Sequence, residues 1–384
     1  MTKVTFLHTS DWQIGITRWF LSGEAQARFD DARKAAITRL GEVARSKNCD
    51  FILVAGDVFE SNSLSSQTTG RTREALKDLG LPVYLLPGNH DPLTPDSIFY
   101  SSAADADNVH VIASSEPIEV APGVELVGAP LKAKRAYEDL VRLALEPLSP
   151  CAPATVRIAV GHGQALARTS EPAPDTIDLD FVEECLENGV INYLALGDTH
   201  SAQPIGTSGA VWFSGAPEVT AYHDLDTAGG EANSGNVLVV TVSDSEPLVV
   251  EEIPVGTWKF ETFKRAINSR AEAEAFIAEL EAYPNKDRVA VKYALEGSVD
   301  LGTMRYLERE LDRLKEIFAA LYPRERTMDL QLDPEESDLA EMNLSGYQNE
   351  ALQELIHATK SDGAEQETAR DALRLLFRLS GETK

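Results

Sequence analysis

The sequence predicts an α/β protein in which mixed sheets form a sandwich, followed by a smaller α+β domain and C-terminal helices. Over about the first 250 residues, short β-rich runs alternate with stretches in which apolar residues recur at helical spacing. From Val255 onward this pattern gives way to a β-α-β-α-β series. The length of 384 residues also exceeds that of one ordinary domain.

Ten short apolar runs are expected to be strands of the first domain, 1–254. The helical pattern between them is clearest in EAQARFDDARKAAITRLGEVARS, at 24–46. The runs are KVTFLH (3–8), FILVAG (51–56), VYLL (83–86), VHVI (109–112), VELVGA (124–129), RIAVGH (157–162), YLALG (193–197), VWFSG (211–215), NVLVVTV (236–242) and LVVEEI (248–253).

Three further segments are predicted after the first domain. Residues 255–332 form the small domain, 333–345 form an acidic linker, and 346–384 form helices near 346–359 and 364–379. The last helix has an apolar stripe that suits either a partner protein or the chain's own domain. That stripe is Ala369, Ala372, Leu373, Leu376 and Leu379, and the small domain has a helical stripe at Met304, Leu307, Leu311, Leu314, Phe318 and Leu321.

The composition, 43% hydrophobic and 25% charged, is that of a soluble globular protein. Three distant cysteines without a CxxC pair indicate neither a disulfide framework nor a thiolate zinc site. The sequence shows no signal-peptide pattern and no stretch as long as a membrane span, so we expect a cytoplasmic protein with no membrane partner.

The net charge limits how the protein can bind nucleic acid. Its 62 acidic and 35 basic residues give −27, which argues against a protein that coats nucleic acid electrostatically. Any contact with DNA must therefore be local. Candidate basic spots are LKAKRAY, with Lys132, Lys134 and Arg135, and Arg18 beside two aromatic residues, although either spot is equally compatible with a solvated face.

Polar side chains follow five of the apolar runs. The segments are TSDWQIG, AGDVFE, PGNHD, VGHG and LGDTH, and the carboxyl ends of strands in an α/β fold gather at one edge of the sheet. Carboxylates, imidazoles and amides without thiolates suit divalent ions such as Mn²⁺ or Fe²⁺, with Zn²⁺ as an alternative. The side chains available are Asp11, Gln13, Asp57, Asn89, His90, His162, Asp198 and His200.

At these residues the sequence resembles the calcineurin-like metallophosphoesterases, whose motifs D-x-H, G-D, G-N-H-[DE], G-H and G-H-x-H have counterparts here in the same order. LHTSDWQIG, GDVFE, LPGNHDP, YLALGDTH and FSGAPE resemble the SbcD-type nuclease subunits in particular. The resemblance covers 1–254 strongly, and the later residues only in layout. It implies a four-layer α/β/β/α sandwich, a capping domain after residue 255, and a homodimer that acts on DNA with an SbcC-like ATPase.

The resemblance also implies a role for each residue of the site. Asp11, Gln13, Asp57 and His200 would hold a first metal ion, and Asp57, Asn89, His162 and Asp198 a second, most suitably Mn²⁺. His90 would donate a proton to the leaving oxygen or stabilise the phosphoryl charge, and Asp91 would orient it. Glu60 and Arg18 are the expected substrate contacts.

Three positions depart from the family pattern. Gln13 stands where histidine is usual, Asp198 replaces the first histidine of the last motif, and Glu60 stands where the nuclease subunits commonly carry a histidine. An amide oxygen is a weaker ligand than imidazole for Mn²⁺ or Zn²⁺, so we expect a weaker first metal site.

We expect the first of the following three functions and keep the other two as alternatives. The first is a two-metal DNA nuclease, an exonuclease or endonuclease in DNA repair. The second is a phosphodiesterase of cyclic nucleotides or other small phosphoesters, which the acidity of the chain favours. The third is a catalytically reduced scaffold, which Gln13 and Glu60 favour.

Overall fold

A computed structural model describes residues 1–100, 106–165, 173–223, 230–332 and 346–358, and the single helical positions 366, 368, 369, 372 and 375. The chain divides into two compact units, Met1–Phe260 and Glu261–Lys384. The predicted linker at 333–345 lies outside the described residues, as do Leu373, Leu376 and Leu379 of the predicted C-terminal stripe. In the described part of the chain, no helix has both the length and the apolar character needed to cross a membrane.

The first unit alternates strands and helices, as the sequence predicts. Its elements in chain order are β1 (Lys3–Thr9), α1 (Gly23–Ser46), β2 (Phe51–Val54), α2 (Ser66–Lys77), β3 (Val83–Leu85), β4 (Val109–Val111), β5 (Ile118–Ala121), β6 (Val124–Gly128), α3 (Leu140–Leu145), β7 (Val156–His162), α4 (Leu179–Glu187), β8 (Tyr193–Gly197), β9 (Gln203–Ile205), β10 (Val211–Phe213), β11 (Asn236–Ser243) and β12 (Val249–Pro254).

These strands form two six-stranded mixed sheets. The first has the order β12-β11-β1-β2-β3-β4 and the second the order β5-β6-β7-β8-β10-β9. Strands β1 to β4 are parallel to one another, and so are β6, β7, β8 and β10. At the margins β11 pairs antiparallel with β1 and with β12, β5 pairs antiparallel with β6, and β9 pairs antiparallel with β10. The parallel strands of each sheet therefore end at the same edge of that sheet.

The alternation of side chains along the strands produces three apolar layers. Leu7 and Ile52 pack on one face of the first sheet with α1 and α2, whereas Phe6 and Phe51 point into the space between the two sheets. On the outer face of the second sheet, Leu194 packs with residues of α3 and α4. Since side chains in a strand alternate between its faces, this arrangement gives four layers, α/β/β/α, and the predicted fold class is confirmed.

Two short strands of the first unit escaped the sequence analysis. β5 (IEVA) is only partly buried, and β9 (QPI) contains a proline, so neither carries the apolar signal of an inner strand. Both lie at edges of the second sheet, where proline and exposed residues are tolerated.

The second unit contains one four-stranded sheet and two packed helices. It comprises β13 (Lys259–Ala266), α5 (Arg270–Glu281), β14 (Val289–Val299), α6 (Leu301–Lys315), β15 (Ala320–Pro323), β16 (Asp329–Leu332) and α7 (Tyr347–Ala358). β14 lies next to β13 and pairs in parallel with both β15 and β16. Its roles as a capping domain and as a partner-binding segment stay predictions.

The predicted helical stripe of this unit was wrong at its C-terminal end. α6 ends at Lys315, so Phe318 follows the helix and Leu321 belongs to β15. Both are buried with Leu307 and Leu314 in the core of the unit. The spacing of apolar residues continues by coincidence across a turn and into a strand that faces the same core.

Candidate metal centre

The loops after five parallel strands converge at one place in the first unit. Asp11 and Asp57 follow β1 and β2, and His162 ends β7 in the other sheet. Ligand atoms of these three buried residues lie within 4.8 Å of one another. Asn89 follows β3, and Asp198 and His200 follow β8. Asn89 and Asp198 adjoin His162, and His200 adjoins Asp11, so these residues belong to the same cluster.

Four of the predicted metal ligands adopt a backbone conformation that L-amino acids seldom use. Asp11, Gln13, Asp57 and Asp198 have φ angles of 54°, 42°, 54° and 92°. The loops after β1 and β2 hold each other in place, because the Asp11 amide donates to the Gly56 carbonyl at 3.0 Å and the Gln13 amide donates to the Asp57 carbonyl at 2.9 Å. Left-handed backbone at non-glycine residues is uncommon and tends to cluster at functional sites, and four of the seven such residues in the described ranges lie here.

His162 organises one half of the cluster. Its Nε2 lies 3.3 Å from Oδ1 of Asn89, 3.4 Å from Oδ1 of Asp57 and 3.9 Å from Oδ1 of Asp198. Its Nδ1 lies 2.8 Å from the carbonyl oxygen of Ala55, which can only accept a hydrogen bond. Nδ1 therefore donates a proton to this carbonyl, and Nε2 is left facing the three oxygens, where it could bind a metal ion once deprotonated.

Asp11, Gln13 and His200 form the other half. Nε2 of His200 lies 3.6 Å from Oδ1 of Asp11 and 3.4 Å from the side-chain amide nitrogen of Gln13. Oε1 of Gln13 is buried and has no hydrogen-bond partner. A buried carbonyl oxygen without a donor lacks compensation for its lost hydration. Rotation of the Gln13 side-chain amide would exchange its nitrogen and oxygen and turn the oxygen towards His200 and Asp11. A cation bound beside these two residues would then give the oxygen a partner.

Asp198 is held from two sides. Its backbone amide donates to both carboxylate oxygens of Asp11, each at 3.2 Å, and its own Oδ2 accepts a hydrogen bond from Gln164. Oδ1 remains on the side of His162. Gln164 was not among the residues predicted from sequence, because it follows the Gly-His motif and is not part of any motif itself.

Glycines leave the space that these side chains occupy. A Cβ at Gly56 would lie 2.1 Å from Nδ1 of His162, and a Cβ at Gly88 would lie 2.1 Å from Oδ1 of Asp57. Gly56 also has a φ angle of +95°. A larger residue at either position would therefore displace a predicted ligand.

The electrostatics of the cluster favour a bound cation. Burial alone would lower the pKa of His162, but the charge and hydrogen bonding of Asp57, with Asp11 and Asp198, hold it well above its ordinary value. Burial raises the pKa of the Asp11 carboxyl, against the opposing charges of the two histidines. The donor set therefore concentrates negative charge where solvent does not reach. A divalent ion compensates such charge more fully than protons on the histidines do.

Glu231 is a functional residue that sequence analysis missed. Its Oε1 accepts a hydrogen bond from Nδ1 of His200 at 2.9 Å, and its Oε2 accepts one from the backbone amide of Thr220 at 2.8 Å. Burial would lower the pKa of His200, but the bond to Glu231 and the charge of Asp11 raise it to about 9. Glu231 lies in the glycine-rich GGEANSG stretch, which contains no signal for a buried carboxylate.

His90 lies at the open side of the cluster. Its side chain is 37% exposed, and Nε2 lies 3.9 Å from Oδ2 of Asp57. Its Nδ1 lies 3.1 Å from the backbone oxygen of Glu60 and 3.6 Å from the carboxylate of the same residue. Glu60 is thus positioned to orient the His90 ring, in addition to its predicted role as a substrate contact.

Asp91 has a different position from the one that the predicted role requires. Its carboxylate is fully buried and accepts hydrogen bonds from the backbone amides of Phe59 at 2.9 Å and Gly88 at 2.8 Å. Both oxygens therefore fix the loops after β2 and β3, and Glu60 rather than Asp91 faces the His90 ring. Burial, with the charge of Asp57, raises the pKa of Asp91 to about 7.

Arg18, the second predicted substrate contact, is half-buried next to the same network. Its Nε donates to the carbonyl of Thr220 at 2.5 Å, and its backbone amide donates to Gln26. Burial lowers the pKa of its guanidinium, while the charges of Glu231 and Glu60 oppose that shift. The structure thus places Arg18 close to both carboxylates that position His200 and His90.

The fold and this cluster together define a metallophosphoesterase. Residues 4–202, more than half of the chain, match the family model described as calcineurin-like phosphoesterase. The chain belongs to this family. The resemblance noted from the five motifs is therefore confirmed, and the protein is assigned to a family of metal-dependent hydrolases.

Curated relatives match shorter segments. The uncharacterized metallophosphoesterase YhaO of Bacillus subtilis is 30% identical over 125 residues, covering 31% of this chain and 30% of that protein. The SbcD component of the SbcCD nuclease is 37% identical over 91 residues in Rhodobacter capsulatus, covering 22% of this chain and 21% of that protein. Its Escherichia coli K12 counterpart is 36% identical over 88 residues, covering 22% and 20%. The matches thus span less than a third of each relative.

Proposed function

We propose that the protein is a two-metal phosphodiesterase that cleaves DNA. The position of Asp57 is the observation that supports two metal ions. Its Oδ1 lies 3.4 Å from Nε2 of His162, and ligand atoms of Asp57 and Asp11 lie within 4.8 Å of each other. A single carboxylate thus adjoins both halves of the cluster, as a bridging ligand must.

The residues present suit two divalent ions. Asp11, Gln13, Asp57 and His200 would hold the first, and Asp57, Asn89, His162 and Asp198 the second. The preponderance of oxygen donors favours Mn²⁺, with Fe²⁺ and Zn²⁺ as alternatives. When bound, two such ions activate the attacking water and neutralise charge on the phosphoryl oxygens.

The protein's own contribution to the reaction centres on His90. Its Nδ1 faces two oxygens of Glu60, so this nitrogen carries a proton and the ring is held in one orientation. Nε2 lies on the side of Asp57, at the exposed face of the cluster. Protonated at Nε2, His90 would hydrogen-bond a phosphoryl oxygen or give its proton to the leaving oxygen.

Partial similarity supports DNA as the substrate. Two of the relatives are named as components of a nuclease. On the same basis we propose that the protein forms a homodimer and acts in DNA repair with an SbcC-like ATPase. The described helix α7 and the predicted helix after it are the proposed docking segment for that ATPase.

A small phosphodiester is the second candidate substrate. The net charge of −27 disfavours long polyanions and leaves a small diester easier to accommodate. Cyclic nucleotides belong to this class.

Cleavage assays separate the two substrates. Purified protein with Mn²⁺ is incubated with end-labelled single-stranded and double-stranded DNA and, in parallel, with bis(p-nitrophenyl) phosphate, with EDTA as the control. We expect Mn²⁺-dependent cleavage of DNA and of the chromogenic diester. Hydrolysis of the diester without cleavage of either DNA would exclude the nuclease and leave the small-substrate candidate.

A further inference from the structure

A groove of about 360 Å³ lies at the carboxyl end of β6 and belongs to neither half of the metal cluster. Its walls include Leu131, Lys132, Arg135, Tyr137 and Glu138. The volume falls in the range of small-ligand sites, about 300–1,000 Å³. The groove thus has room for a group of roughly nucleotide size.

Backbone hydrogen bonds connect this groove to the catalytic loops. The amide of Leu131 donates to the carbonyl of Pro87 at 3.2 Å, and the amide of Leu93 donates to the carbonyl of Leu131 at 2.9 Å. The amide of Ala129 donates to the carbonyl of Val160, at the end of β7, at 2.9 Å. Pro87 and Val160 precede Asn89 and His162 by two residues, so these hydrogen bonds join the backbone of the groove to the two segments that carry predicted metal ligands.

The chemistry of the walls suits a nucleic-acid strand. Lys132 and Arg135 are exposed, and neither forms an ion pair within the described ranges. Tyr137 is 85% exposed, which leaves its ring available for stacking. Glu138 is the one acidic side chain among the described lining residues. A cationic and aromatic wall is notable on a chain of net charge −27, which repels a polyanion elsewhere.

We propose that this groove binds a nucleotide of the single-stranded part of the substrate, next to the phosphodiester that is cleaved. The base stacks on Tyr137, and Lys132 and Arg135 contact the phosphates on either side. The proposal rests on the proposed nuclease function. It also reconciles the acidity of the chain with a DNA substrate, because the favourable contacts are confined to one wall.

The test measures binding of a phosphorothioate-linked oligo(dT), a slowly cleaved probe, to the Mn²⁺-loaded protein by fluorescence anisotropy. Tyr137→Ala should weaken binding about 5- to 150-fold, which is the loss of affinity expected when one base loses its aromatic stacking partner. Tyr137→Phe keeps an aromatic ring and should bind with the affinity of the wild type. Hydrolysis of bis(p-nitrophenyl) phosphate, which has no base and no second phosphate, serves as a measure of whether each variant keeps its metal centre intact.

A charge-matched pair of double variants tests the cationic wall. Lys132→Ala/Arg135→Ala removes two positive charges from the groove, and Arg71→Ala/Lys77→Ala removes two from exposed positions on α2. The first pair should lower the slope of log affinity against log salt by about 1.4, at roughly 0.7 per lost phosphate contact. The second pair should leave that slope unchanged.

The outcomes separate this proposal from the proposed function. Equal affinity of wild type and Tyr137→Ala, or no binding of oligo(dT) by the wild type, overturns the groove proposal. If DNA is cleaved in Mn²⁺ while the groove variants bind like the wild type, the nuclease function stands and only the groove assignment fails. If the chromogenic diester is hydrolysed but DNA is not cleaved, the nuclease function itself fails.

Discussion

Nδ1 of His200 lies 2.9 Å from Oε1 of Glu231, and this buried carboxylate fixes the ring so that Nε2 faces Asp11 and Gln13. A carboxylate in this position sets the tautomer of a metal-binding histidine and increases its basicity. If His200 holds the proposed first metal ion, Glu231 would therefore support that site through the histidine.

Glu231→Gln should weaken the first metal site about 10- to 100-fold, since the amide lacks the charge that polarises His200. Calorimetric titration with Mn²⁺ measures the change, with Glu187→Gln, an exposed residue at the end of α4, as the matched control. Unchanged affinity in Glu231→Gln would show that the contact only stabilises the loop.

His90→Ala should lower turnover of a phosphodiester by about 10²- to 10⁴-fold, the usual contribution of a general acid. It should leave the bound metal in place, because His90 belongs to neither proposed ligand set. Metal analysis and steady-state kinetics check both parts, with His110→Ala on β4 as the control for loss of a histidine elsewhere. Loss of metal in His90→Ala would mean that the ligand assignment is incorrect.

Gln13→His should tighten the weaker Mn²⁺ site and raise activity at low metal concentration, because imidazole binds these ions better than an amide oxygen. The backbone at this position has a φ angle of 42°, which histidine accepts more readily than most residues. The gain should disappear at saturating Mn²⁺, where both proteins are fully loaded. Lower activity of the variant at every Mn²⁺ concentration would instead favour a role of Gln13 outside the coordination shell.

The stability of the first unit should depend on the protonation of His8, which lies buried between the two sheets with Nδ1 at 3.1 Å from the hydroxyl of Tyr193. Burial lowers its pKa to about 3 from 6.5. The unfolded chain therefore binds a proton below pH 6.5 that the folded chain excludes, and the stability present at neutral pH is lost as the pH falls towards 3.

From pH 7 to pH 5, His8 should lower the free energy of unfolding by about 2 kcal/mol. His8→Leu removes this term, so the loss between the two pH values should be about 2 kcal/mol smaller in the variant. Urea denaturation of both proteins in EDTA measures it. The same pH dependence in wild type and variant would show that His8 is protonated inside the folded protein.

The sequence alone predicted the fold and the convergence of the site, because both depend on periodic patterns. Apolar alternation defined the strands, and polar residues at the ends of parallel strands must meet at an edge. The sequence did not reveal Glu231, because a buried carboxylate that reaches a histidine from 31 residues away in sequence leaves no local pattern.

The misplaced role of Asp91 has a similar cause. Adjacency in sequence suggested that it orients His90, but the backbone turn directs the two side chains apart, and Asp91 accepts bonds from Phe59 and Gly88 instead. Which of two neighbouring polar residues enters the interior depends on the turn geometry, which the composition of the loop does not specify.

Asp57 is proposed to contact both metal ions, and the number of Mn²⁺ ions bound per chain tests this proposal most directly. We expect two Mn²⁺ ions per wild-type chain, which fill their sites in two unequal steps. Asp57→Ala should lose bound metal and all phosphodiesterase activity. Its circular dichroism spectrum should be unchanged, because Asp57 follows β2 and lies outside the apolar cores. A wild-type chain that binds one ion or none, or an Asp57→Ala variant that keeps both ions and full activity, would contradict the account.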